Sequence, residues 1–520
     1  MFKGHPKGLI WAALSNMGER FGYYIMNAML LLFLCSKFGL DEGVSGKIYS
    51  VFYALIYVLS LVGGLIADRK QNYKGTIMVG LIVMALGYVM LAYPTVATAE
   101  NTMPLLIFTC VSLLMISFGN GLFKGNLQAI VGQMYDDLEA EEAKKGPDAL
   151  KIAKEKRDSG FQIFYMFINV GGLVAPFIAP ALRKWWLAKA GLTYNAALPA
   201  LCHKFINDPS AMTVQDQSNL AELVSEVSNG TGVVSADFCA NYLNVFNTGV
   251  HIAFWASVVA MLISLVIFIC TRKMYPTPAK KVAAETSGYT AEEKVAMAKE
   301  IKQRLYALFA VLGIAIFFWL SFHQNTQSLT VFARDFIDTS SIPPEMFQAI
   351  NPFFVVLLTF PIMWIFAALA RKGKSISTPK KIAIGMGIAG CAYLFLMILS
   401  IVNNFPSATE FRGLDVAEQN SQKLGLWVMI VTYFFLTVAE LFISPLGLSF
   451  VSKVAPKHML GICQGLWLGA TAVGNLFIWI GTEMCNKVDL WICWGVFLAM
   501  CFVSMCVMLG MVKWLERVAK

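Results

Sequence analysis

The sequence predicts an all-α membrane protein of about twelve transmembrane helices arranged as two six-helix bundles. Three observations carry this. First, 57% of the 520 residues are hydrophobic and only 14% charged, too little charge to cover a soluble protein of this size. Second, the apolar residues fall in long runs, among them Met78 to Ala97, Val250 to Cys270, Leu305 to Leu320, Ile382 to Val402 and Leu490 to Val512. Each is near the ~20 residues that cross ~30 Å of hydrocarbon. Third, Lys and Arg gather in short segments between the runs, as they do in cytoplasmic loops. The net charge of +9 is therefore a matter of topology and not of nucleic-acid binding.

The first run begins within about ten residues of Met1 and is followed at once by others, with no A-x-A-like cleavage site. It reads as a first span near 8–34 and not as a removed signal peptide. Spans two to four follow near 46–67, 75–95 and 103–126, and span five near 159–182, which closes an N-terminal unit at 1–186. Between spans four and five, Asp136 to Asp158 mixes acidic and basic residues at helical spacing and reads as a solvated cytoplasmic helix. Residues 187–243 exceed what a hairpin needs and form an insertion, a small capping subdomain. Span six falls within 244–271 (near 245–270), and a charged linker with Pro276 and Pro278 occupies 272–304. The C-terminal bundle, 305–520, holds spans near 305–325, 345–369, 380–402, 425–448, 459–481 and 488–513.

The stretch Arg272 to Arg304 carries Arg272, Lys273, Lys280, Lys281, Lys294, Lys299, Lys302 and Arg304, whereas Leu187 to Leu243 has only Lys189 and Lys204. The linker is accordingly cytoplasmic, the insertion extracytoplasmic, and both termini cytoplasmic, although Arg183 and Lys184 run against the bias. Eleven cysteines sit mostly singly in apolar runs with no C-x-x-C pair. Most read as small packing residues, neither metal ligands nor redox centres. Cys202 and Cys239 fall in the insertion, in an oxidising compartment where they either pair in a disulfide or stay free. The Asn229-Gly230-Thr231 sequon matters only in a eukaryotic source. Faint internal symmetry joins the halves: GGLIADRKQNYKGTIMVG links spans two and three, and ALARKGKSISTPKKIAIG links spans eight and nine. Such repeats imply a carrier with its site between the halves.

A charged side chain at mid-membrane costs ~2.5–3.5 kcal/mol on insertion scales, and those that persist usually face the bundle interior or a wet cavity. Four places qualify: Glu19-Arg20 in span one, Lys124 in span four, His323 in span seven and Glu440 in span ten. Glu19 and Arg20 either lock the fold as a pair or switch partners with Lys124. Glu440, in VAELFISPLGLSF, has no cation near it in sequence and needs a proton, an ion or a cationic substrate. His323 reads either as a neutral packing residue or, with an ordinary pKa of ~6.5, as a proton carrier. A cation in one half and an anion in the other suit a zwitterion, with Tyr23, Tyr24, Tyr57, Trp319 and Trp467 as amphipathic walls.

These residues also resemble the proton-dependent oligopeptide transporters of the major facilitator superfamily. GGLIADRKQNYKG, Gly63 to Gly75, looks like the superfamily's loop 2–3 motif; GNGLFKGNLQAIVGQMY, Gly119 to Tyr135, resembles the family's span four. FYMFINVGGL, Phe164 to Leu173, is close to its signature FYxxINxGSL; Phe347 to Leu358 and Glu440 to Asn475 match spans eight, ten and eleven. The resemblance implies a major facilitator fold in an inner membrane and proton-driven import of di- and tripeptides. It implies that Glu440 holds the peptide amino terminus and Lys124 its carboxylate. Tyr23, Tyr24, Tyr57, Asn169, Asn351, Ser444 and Trp467 would line the pocket, and Gly64, Asp68 and Arg69 would latch the cytoplasmic side. Spans one, four, seven and ten would rock to open either face.

Three departures stand out. The family's E-x-x-E-R reads NMGER here, with Asn16 at the first glutamate; Asn27 stands where an arginine usually assists the substrate carboxylate; and FFWLSFHQ puts His323 at an acidic position. Asn27 and His323 are therefore counted with the substrate site. His323 is expected to take over part of the proton coupling, with Glu19, Arg20 and Lys124 as a switchable ion cluster. The alternatives are an uncoupled peptide facilitator, a carrier of a non-peptide amphoteric or anionic solute, and a receptor that binds without transport. A membrane enzyme is disfavoured, because no nucleophile elbow or metal-ligand spacing accompanies the histidines. No cofactor motif and no Walker loop are visible, so neither a cofactor nor ATP drive is expected.

Overall fold

The structure is a computed structural model that describes residues 4–40, 42–98, 100–195, 198–276, 291–326, 328–338, 347, 349–412, 416–456 and 459–518. Helices dominate the described residues. In the N-terminal half α1 (Gly8–Phe38), α2 (Glu42–Lys70), α3 (Tyr73–Ala92), α4 (Thr102–Ala143) and α5 (Pro147–Lys189) precede the short α6 (Leu198–Asn207) and α7 (Val214–Val227), and α8 (Ala236–Thr271) completes it. The C-terminal half has α9 (Ala291–Phe322), α10 (Ser328–Phe336), α11 (Ile350–Arg371) and α12 (Thr378–Val402). It continues with two short helices, α13 (Ala408–Arg412) and α14 (Val416–Gln422). The last four are α15 (Trp427–Val454), α16 (Leu460–Leu476), α17 (Trp479–Lys487) and α18 (Leu490–Val518).

Among the described residues, ten helices are long and apolar enough to cross a membrane. The places of the first and eleventh expected spans are taken by α1, which carries Glu19, Arg20 and Lys37, and by α16, which stops at Leu476 and restarts as α17. Apolar side chains such as Val79, Ile82, Leu86, Ile263, Val266 and Trp364 are exposed, as a lipid-facing surface requires.

Helices α1 to α5 and α8 pack on one another, as do α9, α11, α12, α15, α16 and α18. The halves meet through α2, α4 and α5 on one side and α11, α15 and α16 on the other. With no hydrophobic drive between helices in lipid, close approach depends on small residues. A Cβ on Gly63 would stand 2.1 Å from the Gly121 carbonyl oxygen, so only glycine lets α2 lie against α4.

One expectation is corrected. The stretch from Asp136 to Asp158 is not a separate helix: α4 runs on to Ala143, the chain turns at Gly146 (φ +126°), and α5 starts at Pro147. The end of the 272–304 linker is helical, since α9 begins at Ala291 and continues into the seventh span; residues 277–290 lie outside the described residues. The insertion holds α6 and α7, and Cys202 and Cys239, each fully buried, carry no disulfide in this structure.

Candidate functional site

The ionisable residues of the bundle fall into clusters set by which helices meet. On α1, Arg20 donates through Nε and Nη2 to the two carboxylate oxygens of Glu19, at 2.5 and 2.6 Å. Asn120 of α4 donates to the same Glu19 Oε1 at 2.6 Å. Both charges are buried, where an unpaired one would be costly. This closed pair does not include Lys124, whose ammonium lies 4.7 Å from the centroid of the Tyr57 ring and, among the described residues, is in no ion pair.

A tyrosine array lines the facing parts of α1 and α2. Tyr49 and Tyr23 both donate to Asn27 Oδ1, at 2.8 and 3.2 Å. Tyr53 and Tyr57 share a hydrogen bond at 3.4 Å, and Tyr49 stacks on Tyr53. Tyr24 packs edge-on against Tyr23. Tyr24, Asn27, Tyr49, Tyr53, Tyr57 and Lys124 are half-buried, as side chains facing a cleft are. Asn27 is thus a hydrogen-bond acceptor for two phenols, not a cation.

In the C-terminal half Glu440 is buried on α15. Asn351 of α11 donates to its Oε2 at 2.7 Å, and Tyr165 of α5, reaching from the other half, donates to its Oε1. Asn351 also bonds Thr437 at 3.1 Å, and Asn169 Nδ2 donates to the Tyr165 carbonyl at 3.1 Å. No cation pairs with Glu440 among the described residues, so its neutral donors solvate the carboxylate without cancelling its charge. Ser444 is buried one turn further along α15. Trp467 is 2% exposed, its ring seated on Gly447, where an added Cβ would meet it at 2.1 Å. It is a packing residue in this conformation, not a pocket wall.

His323 opens a short 3₁₀ turn after α9. It stacks on Trp319 with ring centroids 5.1 Å apart and meets Phe322 edge-on at 5.2 Å. These neighbours belong to neither the Glu440 nor the Glu19–Arg20 cluster.

Two further constellations join the halves. Asp68, at the end of α2, accepts from the backbone N–H groups of Gly461 and Ile462, at 3.0 and 2.7 Å, and from the Tyr73 hydroxyl. It thereby satisfies the open N-terminus of α16. Gly64 lies against the Gly461 backbone, where a Cβ would come within 2.5 Å. Arg69 is exposed and enters none of these bonds. Sequence reading missed the second constellation. Asp158 of α5 accepts from Lys381 (3.0 Å), Lys453 (2.7 Å) and Ser449 (2.7 Å), and from Thr378. Beside it Arg157 binds Glu139 at 2.8 Å, Asp136, and Ser452 across the interface at 3.2 Å. Its signals were a carboxylate next to arginine at the mouth of span five and the lysines of STPKK and FVSKV.

A model of the family described as POT matches residues 74–289 and 278–492. Among similar curated proteins is "Uncharacterized transporter YclF" of Bacillus subtilis, 28% identical over 497 residues, covering 91% of this chain and 87% of that one. "Peptide transporter YePEPT" of Yersinia enterocolitica is 27% identical over 494 residues, with coverages of 91% and 87%. "Dipeptide and tripeptide permease B" of Salmonella typhimurium is 27% identical over 486 residues, with coverages of 91% and 85%. Similar solved structures include a peptide transporter POT in complex with sulfate (TM-score 0.57, 22% identity, 100% and 96% covered). A POT family transporter in complex with 5-aminolevulinic acid gives TM-score 0.58 at 20% identity, with 100% and 98% covered. At these identities the structures speak for the fold alone, which this chain shares with them over its whole length.

Proposed function

The chain belongs to the POT family, and from that premise we propose that it imports di- and tripeptides through the cytoplasmic membrane, coupled to protons, by alternating access. The observation that carries the reading is one ionisable group in each half that, among the described residues, has no opposite charge to pair with. Among the described residues Glu440 accepts hydrogen bonds from Tyr165 and Asn351, and Lys124 lies over Tyr57 outside the Glu19–Arg20 pair. A zwitterion neutralises both at once, its ammonium on Glu440 and its carboxylate towards Lys124. Tyr23, Tyr24, Tyr57, Asn169, Asn351 and Ser444 supply hydrogen bonds to the peptide backbone.

Closure at one end fits the cycle. The hydrogen bonds between the halves described above run from Tyr165–Glu440 down to Asp68 and the Asp158 cluster. On the topology read from the charge bias that end is cytoplasmic, with both termini on the same side, and this state receives substrate from outside. Proton coupling runs through Glu19, Arg20 and Lys124, with His323 at the position of the family's usual acid. Protonating Glu19 releases Arg20, and loss of that proton to the opposite side restores the pair. A pH gradient imposed on proteoliposomes tests His323: His323→Ala that keeps full gradient dependence removes it from the scheme.

The cargo is tested by thermal shift of the purified protein with dialanine, trialanine, alanine and nitrate, since ligand binding stabilises by mass action. Peptides raise Tm, alanine and nitrate do not, and Glu440→Gln abolishes the shift. A non-peptide amphoteric or anionic solute is the second reading. It is favoured by Asn27, whose carbonyl is taken by two tyrosines, so the position adds no cation for a peptide carboxylate. A shift with nitrate and none with dialanine selects it.

A further inference from the structure

Two pairs of buried cysteines stand at the same end of the molecule, one in each half. Cys202 on α6 and Cys239 in the first turn of α8 are both 0% exposed, on helices that pack on one another. Cys485 on α17 and Cys493 on α18 are also 0% exposed, and their sulfurs lie 3.4 Å apart. The second pair was not anticipated: Cys493 falls inside the span read near 488–513, although Cys485 lies between that span and the one before it. Both pairs lie far from the inter-half clamp. Helix α5 carries Asp158 near its start and delivers the chain to α6 after Lys189, ~45 Å further at ~1.5 Å per residue. Helix α16 has its N-terminus on Asp68 and leads away from it into α17. If the clamp end is cytoplasmic, as the charge bias reads, both pairs face the oxidising compartment.

We propose that the outer face is stapled by two disulfides, Cys202–Cys239 tying the inserted α6 to α8 and Cys485–Cys493 tying the corner between α17 and α18. The Cys485 and Cys493 sulfurs need to close by little more than a side-chain rotation, from 3.4 Å to the ~2.05 Å of an S–S bond, and Cys202 and Cys239 are buried where α6 packs on α8. The bond forms by exchange with a protein disulfide of the outer compartment before the thiols are buried. Two S–H bonds are lost and one S–S bond is made, and the two electrons and two protons reduce the donor disulfide to a dithiol. Neither bridge crosses between the halves, so both leave rocking free. Each instead fixes a corner that carries loops on the substrate-entry side. Cys35, at the outer end of α1, serves as an internal control: its thiol donates to Ser45 Oγ at 3.3 Å, and it stays reduced.

The test uses the full chain expressed in a bacterial membrane and purified without reductant. Thiols are blocked with N-ethylmaleimide in denaturant, the protein is digested with trypsin, and peptides are read by mass spectrometry with and without reduction. Trypsin cuts within both pairs, at Lys204 and Lys487, so each bridge appears as two linked peptides lighter by two hydrogens. The expected result is both linked species, with Cys35 alkylated. Alkylated thiols at any of the four positions overturn the proposal. Its dependence on orientation is read separately with Val214→Cys, an exposed site on α7, and a membrane-impermeant maleimide on intact cells. Labelling is expected, and its absence overturns the topology and the proposal with it, while the peptide-transport reading is judged by the thermal-shift experiment alone.

Discussion

Glu440 is held by a phenol and a carboxamide, groups that can turn to share the carboxylate with an arriving ammonium without leaving a charge stranded. A lysine in their place would have made the site a structural ion pair, since removing one partner of a buried pair costs ~3–5 kcal/mol. That choice of residues is what separates the Glu440 site from the Glu19–Arg20 pair, and it was half legible. A carboxylate in an apolar run announces itself by its cost, whereas Tyr165 lay unremarked inside FYMFINVGGL because its partner is 275 residues away. Tyr49 and Tyr53 could have been found, as they precede Tyr57 at four-residue steps, one helix face. At this scale Gly447 is predicted to be critical. Gly447→Ala forces the Trp467 ring off α15, and overpacking of this kind costs ~1–3 kcal/mol, read as a lower Tm with or without ligand. Outside the membrane, His5 bonds Tyr135 at 2.6 Å, and burial, then Lys156 and the amino terminus, push its pKa down to about 4. The folded state therefore prefers the neutral ring. Docking of the N-terminal segment is fully present above pH ~6.5 and is lost as pH falls towards the folded value. A ¹³C-histidine titration, with the signal assigned by His5→Gln, should give a midpoint well below 6; a midpoint near 6.5 removes the argument.

Helices show why the spans were readable and their ends were not. Apolar runs report the membrane, but a helix continues as long as its residues favour one. Glu, Ala and Lys after Tyr135 favour helix as strongly as the apolar residues before it, so α4 extends well past its hydrophobic run. Those extensions bring Asp136 and Glu139 onto Arg157 and so fix the side of α5 that presents Asp158 to α12 and α15. Hydropathy had no means of signalling this, because each charge alone looks like a solvated loop residue. The α2–α16 seam tests the element scale. A methyl on Gly64 would strike the backbone of Gly461, which has no side chain to move aside. Gly64→Ala is predicted to keep the protein folded yet part the two helices at the Asp68 end. The readout is deuterium exchange of the Gly461 and Ile462 amides: protection by Asp68 should fall in the variant, and unchanged protection would show that α16 tolerates the methyl.

Over the whole molecule, the two-half plan was visible in the paired hairpins and the charged linker, while the conformational state was not. A transporter sequence must be compatible with both end states, and nothing in it says which one predominates. The bonds answer that here: the hydrogen bonds described between the halves are gathered at one end, and four groups of the C-terminal half, on Thr378, Lys381, Ser449 and Lys453, donate to the single Asp158 carboxylate. Asp158→Asn leaves Lys381 and Lys453 facing each other without a counter-charge. The penalty for breaking a buried pair, ~3–5 kcal/mol, is comparable to the ~5.5 kcal/mol that carries a two-state equilibrium from 1:99 to 99:1. The variant should therefore invert the population and not merely loosen one end. Spin labels at Ile152 and Lys374 would report the clamp end, and labels at Val233 and Val402 the opposite one, all four being exposed. In a background with the exposed Cys270, Cys391 and Cys506 replaced by serine, Asp158→Asn should lengthen the first distance and shorten the second. Opposed changes are the signature of rigid halves rocking about the substrate level. A longer first distance with an unchanged second would mean that the clamp is only a local contact and that something else holds the halves together.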